Sequence, residues 1–165
     1  MCPKSVKLQA YKGLVRPGLE YVSAAWHPFQ IYLQDKIEQV QKRSARFITG
    51  NYSYEPGSMT NILNDLELTS LRSRRKQNRL ILMFKALSET TVLPLNDLHE
   101  PNRHNRQNHP HTFQQLHTRT DTYKYSFVPN TILDWNGLPK TTFDNYKIAP
   151  EQLEGFSNYV RKFNN

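Results

Sequence analysis

Residues 30–50, "QIYLQDKIEQVQKRSARFITG", decide the fold class. Leu33, Ile37, Val40, Ser44, Phe47 and Ile48 recur at the helical period and fall on one face, which predicts a helix over residues 30–48. Gly50 supplies the left-handed residue that ends such a helix. Upstream, residues 4–26 also read as helix, interrupted or restarted at Arg16-Pro17. Pro17 has no N–H and disfavours helical geometry at Arg16, so a kink or a fresh first turn is expected there. Downstream, "NYSYEPGS" is a loop, and Met59, Ile62, Leu63 and Leu66 predict a short helix. Ser70 is the expected N-cap of a further helix reaching about Ser88. Its second half, "LILMFKAL", is apolar nearly all round and should be buried on most sides.

Past this point the chain changes character. "PLNDLHEPNRHNRQNHPHT" is dense in Asn, His, Pro and Arg without a period, so residues 94–120 read as a polar, mobile loop. "TYKYSFVP" alternates Tyr123, Tyr125 and Phe127 as a short strand or extended segment would. Pro129 can sit in the first turn of "NTILDW", and Asn136-Gly137 can form a turn. Phe127, Ile132, Leu133, Trp135 and Leu138 then make a satellite core; their apolar flanks favour this over Trp135 as a nucleic-acid stacking platform. Pro150 can start a last helix carrying Leu153, Phe156, Val160 and Phe163. The expected architecture is mainly α: a small helical bundle over 1–93, the polar loop, then a C-terminal segment over 121–165 with a short extended stretch and one or two further short helices.

Composition bounds the function. An apolar fraction of 37% is low for a compact fold, so Tyr and Phe, within a 12% aromatic share, must supply much of the buried area. No run of about 18 apolar residues predicts a membrane span, and no apolar core follows Lys4 and Lys7 as in a signal peptide. A single cysteine, Cys2, excludes an internal disulfide and a cysteine-only zinc site. The expected setting is intracellular, nuclear or cytoplasmic. Of the net charge of +8, residues 1–93 hold 14 Lys and Arg against 7 Asp and Glu, while residues 94–165 hold 8 against 7. A basic half joined to a near-neutral half points to a polyanion, nucleic acid before membrane.

Two helix flanks carry that charge. At about 100° per residue, Lys36, Lys42, Arg43 and Arg46 share one side of the 30–48 helix, beside its apolar face, with Asp35 inside the arc. "RSRRKQNR" places Arg72, Arg75, Lys76 and Arg79 together on the helix after Ser70. Each flank alone is explained by a solvated face. Two in one basic half match a phosphate backbone, and since neither carries a base-reading signature, binding should be weak and ignore sequence. The histidines His99, His104, His109, His111 and His117 crowd one loop, but a loop with Pro110 wedged between two of them does not hold ligands rigidly. No metal or cofactor is expected. There is no Gly-rich phosphate loop, no nucleophile elbow and no "DD" pair for Mg²⁺, so no catalytic residues are assigned. Glu20, Asp65, Asp134 and Asp144 are better explained by caps and surface pairs.

Four stretches in order, "AYKGLVRPGLEYVSAAWHP", "DKIEQVQKRSARFITGNY", "LTSLRSRRKQNRLILMFKAL" and "YSFVPNTILDWNGLP", resemble the C-terminal end of non-LTR retrotransposon (LINE-like) reverse transcriptases over about residues 8–160. The matching positions are Leu14, Val15, Arg16, Pro17, Leu19, Glu20, Tyr21 and Trp26; Val40, Gln41, Arg43, Ala45, Arg46 and Phe47; Leu71, Arg74, Arg75 and Arg79; and Phe127, Pro129, Trp135, Asn136, Leu138 and Pro139. Gly18 departs from the larger apolar residue expected after the "RP" pair. The resemblance implies the thumb and post-thumb of an RNA-directed DNA polymerase, with fingers, palm and endonuclease expected upstream of Met1, so that this would be a fragment of a transposable element. It also implies RNA or RNA–DNA duplex as partner, together with the upstream polymerase domains. Leu14, Val15, Leu19, Tyr21, Val22 and Trp26 would then form the face that packs on the palm. That face should be the least protected part of a marginal domain. The alternative is a domesticated helical protein-interaction module with no nucleic-acid role.

Overall fold

The computed structural model describes residues 2–93, 95, 98–101 and 109–163, the last by its backbone alone. His104 and the Phe163 side chain lie outside them. The chain is mainly helical, and the described residues include no strand. In order the elements are α1 (Lys4–Ala10), a π-turn (Tyr11–Val15), α2 (Arg16–Glu20), α3 (Ile31–Thr49), α4 (Ser58–Asp65), α5 (Leu71–Leu87), α6 (Asp121–Lys124), α7 (Phe127–Asn136), α8 (Lys140–Asn145), a 3₁₀ turn (Pro150–Gln152) and α9 (Leu153–Phe163). Two compact units divide the chain, Met1–Arg75 and Lys76–Asn165.

In the first unit Pro17 acts as expected, one step earlier. It cannot donate to the carbonyl four residues back, and its ring would strike that oxygen. The helix widens before it, and the Arg16 N–H donates to Tyr11 O, five residues back. The helix stops at Glu20, short of the expected residue 26, in a turn where Val22 takes a left-handed φ of 48°. α3 ends at Gly50 with φ 70°, its N–H donating to Arg46 O. α5 begins on Ser70, whose Oγ accepts from the Ser73 N–H at 3.1 Å.

The core face of α3 is turned from the one the periodicity selects, keeping Ile48 inside with Leu33, Ile37 and Ser44 half-buried. Gln41, Ala45 and Ile48 are buried, whereas Val40 and Phe47 are exposed. The cause is Tyr11, whose buried hydroxyl donates to Gln41 Oε1 at 2.9 Å while Gln41 Nε2 donates to Thr69 O at 3.0 Å. A polar residue can be buried when all its groups are satisfied, and here one amide links three segments. Burial pushes the Tyr11 hydroxyl up to about 12. Around this link Tyr11, Ala45, Ile48, Ile62, Leu66 and Leu68 form the core, each of the larger aliphatic side chains contributing about 1.5–3 kcal/mol.

The second unit is built on the apolar half of α5. Leu80, Met83 and Phe84 pack with Trp135, Leu138, Phe143, Phe156 and Val160. Phe84 stacks on Phe156 at 4.3 Å between centroids. The division at 75/76 therefore replaces the boundary expected at 93, because "LILMFKAL" makes its core with the C-terminal segment. Leu133, expected inside, is exposed. "TYKYSFVP" is not extended: Thr120 Oγ1 accepts from the Tyr123 N–H and opens α6, and α7 starts at Phe127.

Part of the expected mobile loop is core. His109 is buried, with Nε2 3.1 Å from Trp135 O and Nδ1 accepting from the His111 N–H at 3.2 Å. These partners fix one neutral tautomer, Nε2–H donating to the carbonyl. Trp135 Nε1 donates back to His111 O at 2.9 Å. The Asn136 amide accepts from Phe113 N–H at 3.0 Å and donates to Phe113 O at 2.7 Å. Two side chains of the "WNGLP" motif thus dock residues 109–113 onto α7. Burial holds both His109 and His111 below the usual imidazole range.

Candidate nucleic-acid interface

The two basic flanks fare differently. On α3, Asp35 and Glu38 turn to the start of α5: Glu38 Oε1 accepts the Arg72 backbone N–H at 2.8 Å, and Asp35 lies 3.5 Å from the Arg72 guanidinium. A carboxylate over the first turn of a helix complements its dipole, and Glu38 is committed there. Lys42 and Arg43 stay exposed and, among the described residues, have no ion pair. Lys36 lies over the Tyr32 ring at 5.5 Å. Arg46 is half-buried, its guanidinium 4.2 Å from the Tyr54 ring centroid.

The α5 run does not form the open cationic flank that its spacing suggests. In the first unit Arg75 is 2% exposed, packs over the Trp26 ring at 4.3 Å and donates from Nη2 to Leu19 O at 2.6 Å. Arg74 forks onto the Glu20 carboxylate through Nε and Nη2, and this pairing raises the already high Arg74 pKa. In the second unit Arg79 is 5% exposed and donates to Asp134 Oδ2 at 2.7 Å, while Lys76 reaches Asp134 Oδ1 at 3.0 Å. Arg75, Lys76 and Arg79 are structural cations, and Arg72 alone of the four remains exposed. The reason is geometric: a 17-residue helix that buries apolar side chains on several faces also carries part of its polar run inward. Glu20, Asp65 and Asp134 pair as the sequence suggests, Asp65 with Lys4 at 2.5 Å.

The six apolar residues expected to share a face differ in exposure. Leu14, Val15, Tyr21 and Val22 are exposed, Leu14 by 79%, and Leu19 is half-buried. Trp26 is exposed at its rim, but one face of its ring is covered by Arg75. Phe29, Ile31 and Tyr32 extend the exposed apolar stretch beyond the expected six.

What the sequence reading passed over lies at the end of α3, where Phe47, Tyr52 and Tyr54 are exposed beside Lys7 and Arg46. The alternation in "NYSYE", with a polar side chain between tyrosines, is the signal that could have found it. An open polar depression of about 590 Å³ lies along Thr49, Asn51, Ser53 and Glu55, with the Lys4–Asp65 pair on its wall. Among the described residues no group of three His, Cys, Asp or Glu is placed to hold a metal, and no helix is long and apolar enough to cross a membrane. No family model, curated protein or solved structure matches the chain.

Proposed function

We propose that this chain is a sequence-independent nucleic-acid backbone binder, a helical thumb-like element of the non-LTR reverse transcriptase kind without polymerase chemistry of its own. The observation that carries it is the α3 flank, where Lys42 and Arg43 face solvent uncompensated while the nearby acids are drawn to α5. Lys36, Arg46 and Arg72 extend the flank. With so few phosphate contacts, affinity belongs in the range of non-specific binding, about 10⁻⁴–10⁻⁶ M at physiological salt. Anisotropy of a labelled RNA–DNA duplex tests this across 50–200 mM salt. Affinity falls with salt, and Lys42→Ala with Arg43→Ala flattens the slope by about two counterions. No binding at low salt, or an unchanged slope in the double variant, refutes the assignment. Primer extension on an RNA template with Mg²⁺ gives no product above background; synthesis overturns the non-catalytic half of the reading.

A second reading is favoured by the exposure of Leu14, Val15, Tyr21 and Val22. Singly exposed apolar residues need no explanation, but four large ones within nine positions are the kind of surface a partner covers. The resemblance supplies its occupant, a polymerase palm. Hydrogen exchange on the monomer separates the readings: residues 14–26 exchange far faster than residues 78–88 if the face is unpartnered. Equal protection means that no partner is needed.

A further inference from the structure

α3 and the loop after it carry three exposed aromatic rings, two of them against cations. Phe47 is 59% and Tyr54 82% exposed, and Tyr52 is open as well. Lys7 Nζ sits 4.7 Å from the Phe47 ring centroid, and the Arg46 guanidinium lies against Tyr54. Arg43 is one helical turn before Phe47, and Lys42 one turn before Arg46. From Val40 to Tyr54 the chain has no Asp or Glu.

The loop that presents the tyrosines is held by its own side chains. The Asn51 N–H donates to Thr49 Oγ1 at 3.3 Å, the Ser53 N–H to Asn51 Oδ1 at 2.9 Å, and the Glu55 N–H to Ser53 Oγ at 3.2 Å. These short polar side chains occupy alternate positions, and the intervening Tyr52 and Tyr54 are left outside. Such i→i+2 bonds order a backbone that would otherwise be slack. Three large rings kept open to water in an ordered setting are costly unless something covers them.

The chemistry that fits is specific. A ring flanked by cations offers a face to a base and a charge to the adjoining phosphate. A duplex keeps its base faces stacked inside and cannot use the rings, whereas a single strand can. We propose that this patch binds single-stranded nucleic acid, bases stacking on Phe47, Tyr52 and Tyr54 while Lys7, Lys42, Arg43 and Arg46 take the phosphates. It rests on the backbone-binding reading and adds the strand state.

The test uses the full chain, a labelled oligothymidylate and a blunt duplex of equal length, with anisotropy read over a salt series. The single strand binds more tightly than the duplex. Phe47→Ala with Tyr54→Ala weakens single-strand binding about tenfold or more per lost stacking contact, with the salt slope and duplex affinity unchanged. Both side chains are exposed, so the variant keeps its helical circular dichroism. Equal affinity for strand and duplex, or an aromatic variant that binds the strand normally, overturns the proposal and leaves backbone binding standing. No binding to either probe at low salt overturns both. Concentration-dependent dimerisation abolished by the aromatic variant, without any oligonucleotide binding, reassigns the patch to a second copy of the chain and overturns it as well.

Discussion

Asp134 sits between two cations, and removing it should hurt far more than removing either of them. Arg79 is almost fully buried and donates to Asp134 at 2.7 Å, while the half-exposed Lys76 takes the other oxygen at 3.0 Å. In Asp134→Ala the Lys76 ammonium reaches water. The Arg79 guanidinium cannot, and an uncompensated buried charge costs about 3–5 kcal/mol. In Arg79→Met the charge itself is gone, the aliphatic stem is largely replaced, and Asp134 keeps Lys76. The cost there should be about 1–2 kcal/mol. A unit of this size has only about 5–10 kcal/mol in total, so the first variant stands near the edge of folding. Urea unfolding read by Trp135 emission, in a Trp26→Phe background, isolates the second unit. Equal costs, or a larger loss in Arg79→Met, would refute the argument that Arg79 is a buried structural cation. The pair of variants also bears on the proposed function, since Arg79→Met should leave unchanged the salt slope of any nucleic-acid binding.

Tyr11→Phe leaves Gln41 Oε1 buried without its donor and should cost about 1–3 kcal/mol by urea midpoint at pH 7. The folded Tyr11 pKa, about 12, lies above the usual 10, so the unfolded chain loses this proton first. The contribution is complete below pH 10 and disappears between about 10 and 12; the Phe variant should lose less stability over that window, and parallel profiles would count against the link. His109 titrates in the opposite sense, because burial lowers its folded pKa and the unfolded chain takes up the proton first. Thermal midpoints should fall as the pH drops below about 6.5, and less steeply in His109→Gln; identical slopes would rule the residue out. Val22→Asn relieves a β-branched residue at φ 48° and should stabilise the first unit by about 1 kcal/mol, read as a higher urea midpoint.

Local signals were legible and distant ones were not. Gly50 ending α3 and Ser70 opening α5 are set by hydrogen bonds to residues within one turn, and both stand where the residue types place them. The inward face of α3 is decided by Tyr11, thirty positions away, so a period counted along one helix picks Val40 and Phe47 instead of Gln41 and Ala45. The basic run on α5 fails in the same way: Leu19, Trp26 and Asp134, which hold Arg75 and Arg79, leave no mark on that helix. In residues 121–124 the cue was present, since Thr120 followed by Asp121 is a helix start, but the alternating tyrosines outweighed it. His109 looked like one more polar loop residue because its partners are the backbone of α7 and His111, which composition cannot show.

The π-turn works as a phase shifter. In an uninterrupted α-helix Leu19 would stand about 80° around from Tyr11, and Glu20 about 180°, on the far side. Widening one turn by a residue subtracts about 100° from both. Leu19 then comes nearly into line with the buried Tyr11, where its carbonyl meets Arg75, and Glu20 swings round far enough to clasp Arg74. The widened turn between Tyr11 and Arg16 therefore chooses which side chains after Pro17 look inward. Deleting Gly13 would let the helix close normally and leave that phase unchanged, since seven and eight regular steps bring Leu19 and Glu20 to the same angles from Tyr11. Regular geometry forced on the undeleted sequence would instead turn everything after Pro17 by about 100°, so the surplus residue and the widened turn cancel, and together they fix which side chains form the outer surface.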